Sequence, residues 1–148
     1  MNDKELQIKL GNATEKFICK TLRKFNYWNY NLPKKVNGQP FDIVALKGLN
    51  NKLICWCIDG KHVRSKDVSF TFDRIEPNQI TSFNYAYNFA KIPGKCLGFA
   101  IFFERDKQLY WFPYLQFIDL FKQNKQSVNM HDLILFEELL TNEDNNQQ

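Results

Sequence analysis

Glycine is scarce and scattered, six residues in 148, so no segment can form the glycine-rich loop that cradles phosphates in nucleotide-binding proteins. Histidine occurs only at 62 and 131, which removes histidine clusters and Ser/His or Cys/His relays as organising chemistry. The four cysteines form no CxxC pair and stand in apolar surroundings. Neither a zinc site nor a disulfide framework is expected, and a reducing cytoplasm is the expected compartment. No run approaches the ~18 apolar residues of a membrane span, and Met1–Glu5 has no signal-peptide core. Basic residues are absent after position 128.

That last absence exposes a charge asymmetry. The final twenty residues hold five acids, and the first 128 carry twenty bases against eleven acids, a net +9. A basic body with an acidic end suits a phosphate-backbone partner. Fourteen Phe, six Tyr and three Trp supply enough apolar bulk for a packed core, and the length suits one domain. We expect that domain over residues 1–140, with the polar segment 141–148 as a disordered tail.

Periodicity orders the elements. A helix is expected from Gly11-Asn12 to about Phe25, with Ile18, Leu22 and Phe25 at helical spacing. Strands follow over Tyr27–Leu32, Phe41–Leu46 and Lys52–Asp59, the last two joined by a turn at Gly48-Leu49-Asn50-Asn51. Residues 62–76 read as loop. A helix is expected from Pro77, where proline suits a first turn, to Lys91. A strand hairpin joins Leu97–Phe103 to Gln108–Phe112, followed by short helices over Tyr114–Phe121 and His131–Leu140. The fold class is α/β, one mixed sheet with helices packed on it.

The chemistry gathers around Asp59-Gly60-Lys61, which ends the unbroken apolar run Leu53–Ile58. Such a run reads as a central strand covered on both faces. Residues two apart share a face, so Asp59 and Lys61 point the same way. A second carboxylate, Asp42, ends Gln39-Pro40-Phe41. Charges so placed cost desolvation unless they meet a partner or a metal. Two carboxylates and an ammonium can make a Mg²⁺ (or Mn²⁺) site. Glu15 is a third acid, on the same helix face as Ile18 and Leu22; it can equally close a capping box with Asn12. His62 neighbours Lys61 and faces the other side, as a partner histidine and not a general base.

These residues, in this order, resemble the PD-(D/E)xK nuclease superfamily and, more narrowly, RecU-type Holliday junction resolvases including their phage relatives. Gly11-Asn12-Ala13-Thr14-Glu15 is similar to the family's Gly-x-x-x-Glu, and Phe72–Ile80 to the segment entering its Pro-x-Gln helix. Leu97–Phe103 with Tyr110-Trp111-Phe112-Pro113 resembles its closing hairpin, so the likeness spans about residues 10–122. The resemblance implies a restriction-endonuclease-like fold and Mg²⁺-dependent hydrolysis of four-way or otherwise branched DNA by a homodimer in a bacterial or phage-infected cell; the alternatives are a nuclease of this fold acting on nicked, forked or foreign DNA, or a non-catalytic nucleic-acid-binding protein. It implies Asp42, Asp59 and Glu15 as metal ligands, Lys61 as the charge stabiliser, Gln79 as its orienting partner, and Lys34, Lys35, Arg64, Lys66 and Arg74 as backbone contacts. The sequence departs in three places. Asp59 replaces the commoner Glu, Asn78 stands where the family has His, and about ten residues, Pro33 to Asp42, replace a protruding stalk.

Overall fold

The computed structural model describes residues 2–34 and 40–146, the side chain of Asn146 excepted. Its elements run α1 (Asp3–Lys24), β1 (Trp28–Asn31), β2 (Ile43–Leu49), β3 (Lys52–Val63), β4 (Ser69–Thr71), α2 (Pro77–Asn88), β5 (Leu97–Phe103), β6 (Gln108–Pro113), α3 (Tyr114–Lys122), β7 (Ser127–Asn129), β8 (Ile134–Leu135) and α4 (Phe136–Asn146). The main sheet has the order β1-β2-β3-β5-β6-β8, and β4 pairs β7 in a small second sheet. Only β3 and β5 run parallel; the other ladders are antiparallel.

Alternation along the strands sends side chains to two cores. Trp56 and Ile58 join Ile18, Leu22, Trp111, Phe136 and Leu140 on the face covered by α1 and α4. Cys57 joins Phe83, Phe99, Phe112 and Phe117 on the face of α2 and α3. Aromatic edges fix both cores: Trp56 meets Trp111 and Phe136 nearly edge-on, and Phe83 meets Phe99 in the same way. The β2–β3 turn forms at Asn50-Asn51, both at positive φ (53° and 63°). Paired positive φ is what a two-residue type I′ hairpin requires, and asparagine tolerates it.

Several expected boundaries are corrected. Helix α1 begins eight residues before Gly11, at Asp3, capped by the Asn2 side chain, which accepts from Glu5 N at 2.8 Å. Asn12 therefore lies inside the helix and is no cap for Glu15. Strand β3 runs past Asp59 to Val63 because β5 offers it a parallel partner from Cys57 onward, a pairing that local pattern cannot show. Residues 62–76, expected as loop, include the end of β3, the strand β4 and a 3₁₀ turn over Phe72–Arg74. Helix α2 ends at Asn88, not Lys91. The expected helix over His131–Leu140 is instead a 3₁₀ turn, a short strand and the start of α4.

The expected disordered tail is also corrected over Thr141–Asn146, which continues α4. Phe136 and Leu140, both fully buried, anchor that helix on the sheet. Past them Lys95 Nζ meets Glu143 Oε2 at 3.0 Å and Lys47 Nζ meets Asp144 Oδ1 at 2.7 Å. A chain ending at Leu140 would leave five residues of α4, too few for a stable helix. Denaturant titration should show it destabilised by about 2 kcal/mol through the lost turn and ion pairs; an unchanged midpoint would make the segment inert.

Candidate active site

Asp59 sits where β3 changes neighbours. The β2–β3 ladder runs up to the Ile43–Ile58 pair, while β5 pairs β3 from Cys57 to Val63. Beyond Ile58 the β2 side of β3 has lost its ladder, and the Asp42 side chain takes the ladder's place: Gly60 N–H donates to Asp42 Oδ2 at 2.8 Å. The Asp42 N–H in turn donates to Ile58 O at 3.0 Å. Glycine at 60 permits this approach. A Cβ there would stand 3.0 Å from Ile18 Cδ1 and 3.5 Å from Asp42 Oδ2, so a side chain would crowd the tip of Ile18 and lie in contact with the acid.

Both acids are buried, Asp59 at 1% exposure and Asp42 at 8%. Lys61 Nζ lies 3.1 Å from Asp59 Oδ2, 3.0 Å from Arg74 O and 3.3 Å from Gln79 Oε1. The contact with Asp59 is an ion-pair distance without hydrogen-bond alignment, and Asp59 Oδ2 is left buried with no hydrogen-bond partner. Burial pushes the Asp59 carboxyl up to about 8; Lys61 opposes this and the Asp42 carboxylate reinforces it. Gln79 is held in turn, since its Oε1 also accepts from Glu76 N at 3.0 Å in the first turn of α2.

The structure brings Asp42, Asp59, Lys61 and Gln79 together. Glu15 stands beside them on α1, its Oε1 accepting from Lys34 Nζ at 3.2 Å. Burial first, and Asp42 second, raise its carboxyl above the ordinary range. Among the described residues no three His, Cys, Asp or Glu side chains form a metal-holding cluster. The core of the site is therefore the Asp42–Asp59 pair, with Glu15 at its rim under Lys34. That pair fits Mg²⁺, which binds through one or two carboxylates and keeps several waters. The burial of Asp59, only partly offset by Lys61, and a second carboxylate close enough to raise its pKa are what a hard cation would relieve.

Next to this notch lies a cleft of about 450 Å³, walled by Arg64, Lys66, Arg74 and, from α1, Gln7 and Leu10. Arg64 and Lys66 are exposed. Arg74 is committed: its guanidinium donates to His62 O and lies 5.5 Å from the centre of the Phe70 ring, and burial lowers its pKa. His62 faces away from Lys61, with Nδ1 3.3 Å from Thr14 Oγ1 and Nε2 against Glu104. Lys35 lies outside the described residues. Sequence reasoning missed Gln7 and Gly60. The signal for Gln7 was Asn2 with Glu5 three residues on, a capping-box spacing that starts the helix early; for Gly60 it was the one residue between Asp59 and Lys61 that leaves room for Asp42.

The architecture is the restriction-endonuclease-like α/β class, a six-stranded mixed sheet flanked by helices. Solved structures that share it include the following two. One is the Holliday junction resolvase Hjc of the archaeal hyperthermophile Archaeoglobus fulgidus: TM-score 0.56, 14% identity, covering 88% of this chain and 95% of that one. The other is a nuclease from a fusselovirus: TM-score 0.51, 12% identity, covering 95% and 92%. No protein-family model and no curated protein sequence matches the chain.

The raised Asp59 carboxyl sets a pH dependence. With a folded pKa near 8 against an ordinary 3.8, the folded state holds more protons than the unfolded state between those values. Its ionisation therefore removes stability as pH rises through that window. In chelator, wild-type unfolding free energy should fall from pH 5 to pH 8.5 relative to Asp59→Asn, ending about 1–3 kcal/mol below it. Parallel profiles in denaturant titrations would show that Asp59 carries no such shift.

Proposed function

We propose that the chain is a metal-dependent DNA endonuclease of the PD-(D/E)xK type that acts on branched DNA, in the manner of a RecU-like or Hjc-like junction resolvase lacking a stalk. The observation that carries this reading is the buried Asp59 carboxylate, ion-paired with Lys61 and beside the Asp42 carboxylate. Asp42 and Asp59 would hold Mg²⁺ or Mn²⁺, with Glu15 adjusting the charge at the rim. The cation would supply a polarised phosphate and a water of lowered pKa. The remaining work belongs to the chain. Gln79 and the Arg74 carbonyl fix the Lys61 ammonium, which then stabilises charge developing on the scissile phosphate without reorganising. Gly60 N–H holds Asp42 in register. Lys34, Arg64 and Lys66 line the approaches and would contact phosphates without reading sequence; Lys35 completes that basic set in the proposal, while Arg74, expected in it, is held by His62 O and Phe70.

The fold shared with a junction resolvase supports branched DNA, and the net +9 that precedes the acidic end supports a nucleic-acid partner of either kind. Cutting two strands of such a substrate calls for two copies of the site, which a two-fold dimer provides. The chain from Pro33 to Asp42 is too short for a long protrusion, since ten residues span at most ~35 Å fully extended.

Asp42→Asn and Asp59→Asn should each abolish Mg²⁺-dependent cleavage while DNA affinity holds or rises, because repulsion of phosphate is relieved. Lys61→Ala should lower turnover by about 10²-fold or more at nearly constant affinity. Gel assays of cleavage and binding decide it, and normal cutting by any of the three would sink the assignment. In competition at physiological salt, a four-way junction should be bound more tightly than linear duplex, by less than ~10³-fold given the missing stalk. Equal binding and cutting of the linear DNA would make the chain a general nuclease instead.

A further inference from the structure

Helix α1 carries six bases and three acids, and the two signs are kept apart. Asp3 and Glu5 stand in its first turn, and Glu15 lies on the flank that meets Lys34. From Lys9 onward one stripe is basic alone. At 3.6 residues per turn, Lys9, Lys16, Lys20 and Arg23 fall within about 60° of arc. This crest lies opposite the buried stripe of Thr14, Ile18 and Leu22, and all four bases are exposed. Among the described residues none of the four meets an acid at ion-pair distance. The helix dipole accounts for Arg23, in the last turn, but not for lysines nearer the middle. Lys16 and Lys20, four residues apart, also repel each other, whereas an ordinary solvent-facing stripe mixes both signs.

Beside the crest runs a seam between α1 and the β5–β6 hairpin. The cleft next to the notch shares His62 with a cavity of about 140 Å³, which shares Phe17 with another of about 150 Å³ that reaches Lys107. Phe17 and Phe102 floor this seam, with ring centres 5.4 Å apart. Beyond the cleft, the acids that border it are engaged within the fold. Glu104 meets His62 and Arg64, Asp106 accepts from Tyr110, and Glu137 pairs with Lys24. The crest faces away from the sheet, whereas the Lys61 ammonium points to the α2 side, toward Gln79. A straight duplex over the notch, stiff on this scale, meets α1 by its flank, at Gln7 and Leu10. A second arm leaving the same branch point can follow the seam onto the crest, whose ~21 Å matches about six base pairs.

We propose that the α1 crest, with Lys16 and Lys20 at its centre, is a second phosphate track that holds a further duplex arm of a branched substrate while the first arm occupies the cleft. The inference rests on the DNA-cleavage reading and adds the surface that tells a branch from a straight duplex.

The test is fluorescence-anisotropy titration of the full chain in chelator, so that binding is read apart from cleavage, against a four-way junction and a linear duplex of equal length. Lys16→Gln/Lys20→Gln keeps helix propensity nearly unchanged. It should lower junction affinity at least ~10-fold, with the slope of log K against log[salt] falling by about 1.8. Its affinity for linear duplex should fall less than ~3-fold. Lys122→Gln/Lys125→Gln removes the same charge from exposed positions at the end of α3 and just after it, and should leave both affinities within ~3-fold. Equal losses on junction and duplex, or a loss matched by the α3 variant, would reduce the crest to general positive charge and overturn the track. Unchanged junction affinity overturns the track alone and leaves the stripe to an acidic protein partner; a wild type that binds neither DNA overturns the nuclease reading with it. Should the α1 variant lose helicity by circular dichroism, acetylation of wild-type Lys16 and Lys20, read by mass spectrometry, takes its place. Protection by the junction beyond that given by linear duplex supports the track, and equal labelling in the two complexes overturns it.

Discussion

A carboxylate buried inside a sheet strand is the constraint on which this molecule depends. Asp59 would be a costly intrusion in β3 without compensation, and the fold assembles its compensation from three directions. Lys61, two residues on and on the same face, brings opposite charge. The 3₁₀ turn before α2 and the first turn of that helix supply the oxygens of Arg74 and Gln79 that hold the ammonium. The compensation stays incomplete, because Asp59 Oδ2 lacks a hydrogen bond and Asp42 adds repulsion. Strain of this kind persists where function uses it.

The same sheet arranges the rest of the surface. Its core strands are parallel only at β3–β5, and β2 leaves β3 where Asp42 begins, so the notch opens at a change of partners. Lysines and arginines gather on that side: Lys34 over Glu15, and Arg64 and Lys66 along the neighbouring cleft. The acidic end of the chain is folded away from this site and pinned to Lys95, Lys47 and Lys24, which neutralises three bases there and leaves the cleft's bases unpaired with the tail. Charge asymmetry along the sequence thus becomes asymmetry in space.

Much of this was legible because it is local. The apolar run Leu53–Ile58, the alternation that puts Asp59 and Lys61 on one face, the Asn50-Asn51 turn and the Pro77 helix start are all short-range signals. What escaped reading depends on distant partners. The strand's continuation through Val63 exists because β5 lies alongside, and the strand β4 exists because β7, nearly sixty residues on, pairs with it. The polar segment after Leu140 looked too weak to order itself, and on propensity it is; Lys47 and Lys95 supply what its own sequence lacks. The Gly11-to-Glu15 segment misled in a different way. Asn12 and Glu15 have capping spacing, but a better pair, Asn2 and Glu5, begins the helix earlier and leaves Glu15 free to face Asp42.

Asp59 and Gly60 are best understood as one device. An aspartate reaches one methylene less far than a glutamate would, so the two carboxylates can approach only if Asp42 comes toward β3. It does so by occupying the hydrogen-bonding place of the missing ladder, on the Gly60 N–H. A larger residue at 60 would meet the Ile18 side chain first and then Asp42 and Thr14. A longer acid at 59 would relax that demand, because it could extend toward a more distant partner. The short acid and the absent side chain therefore belong together, and the close seating of α1 on β3 is their joint consequence.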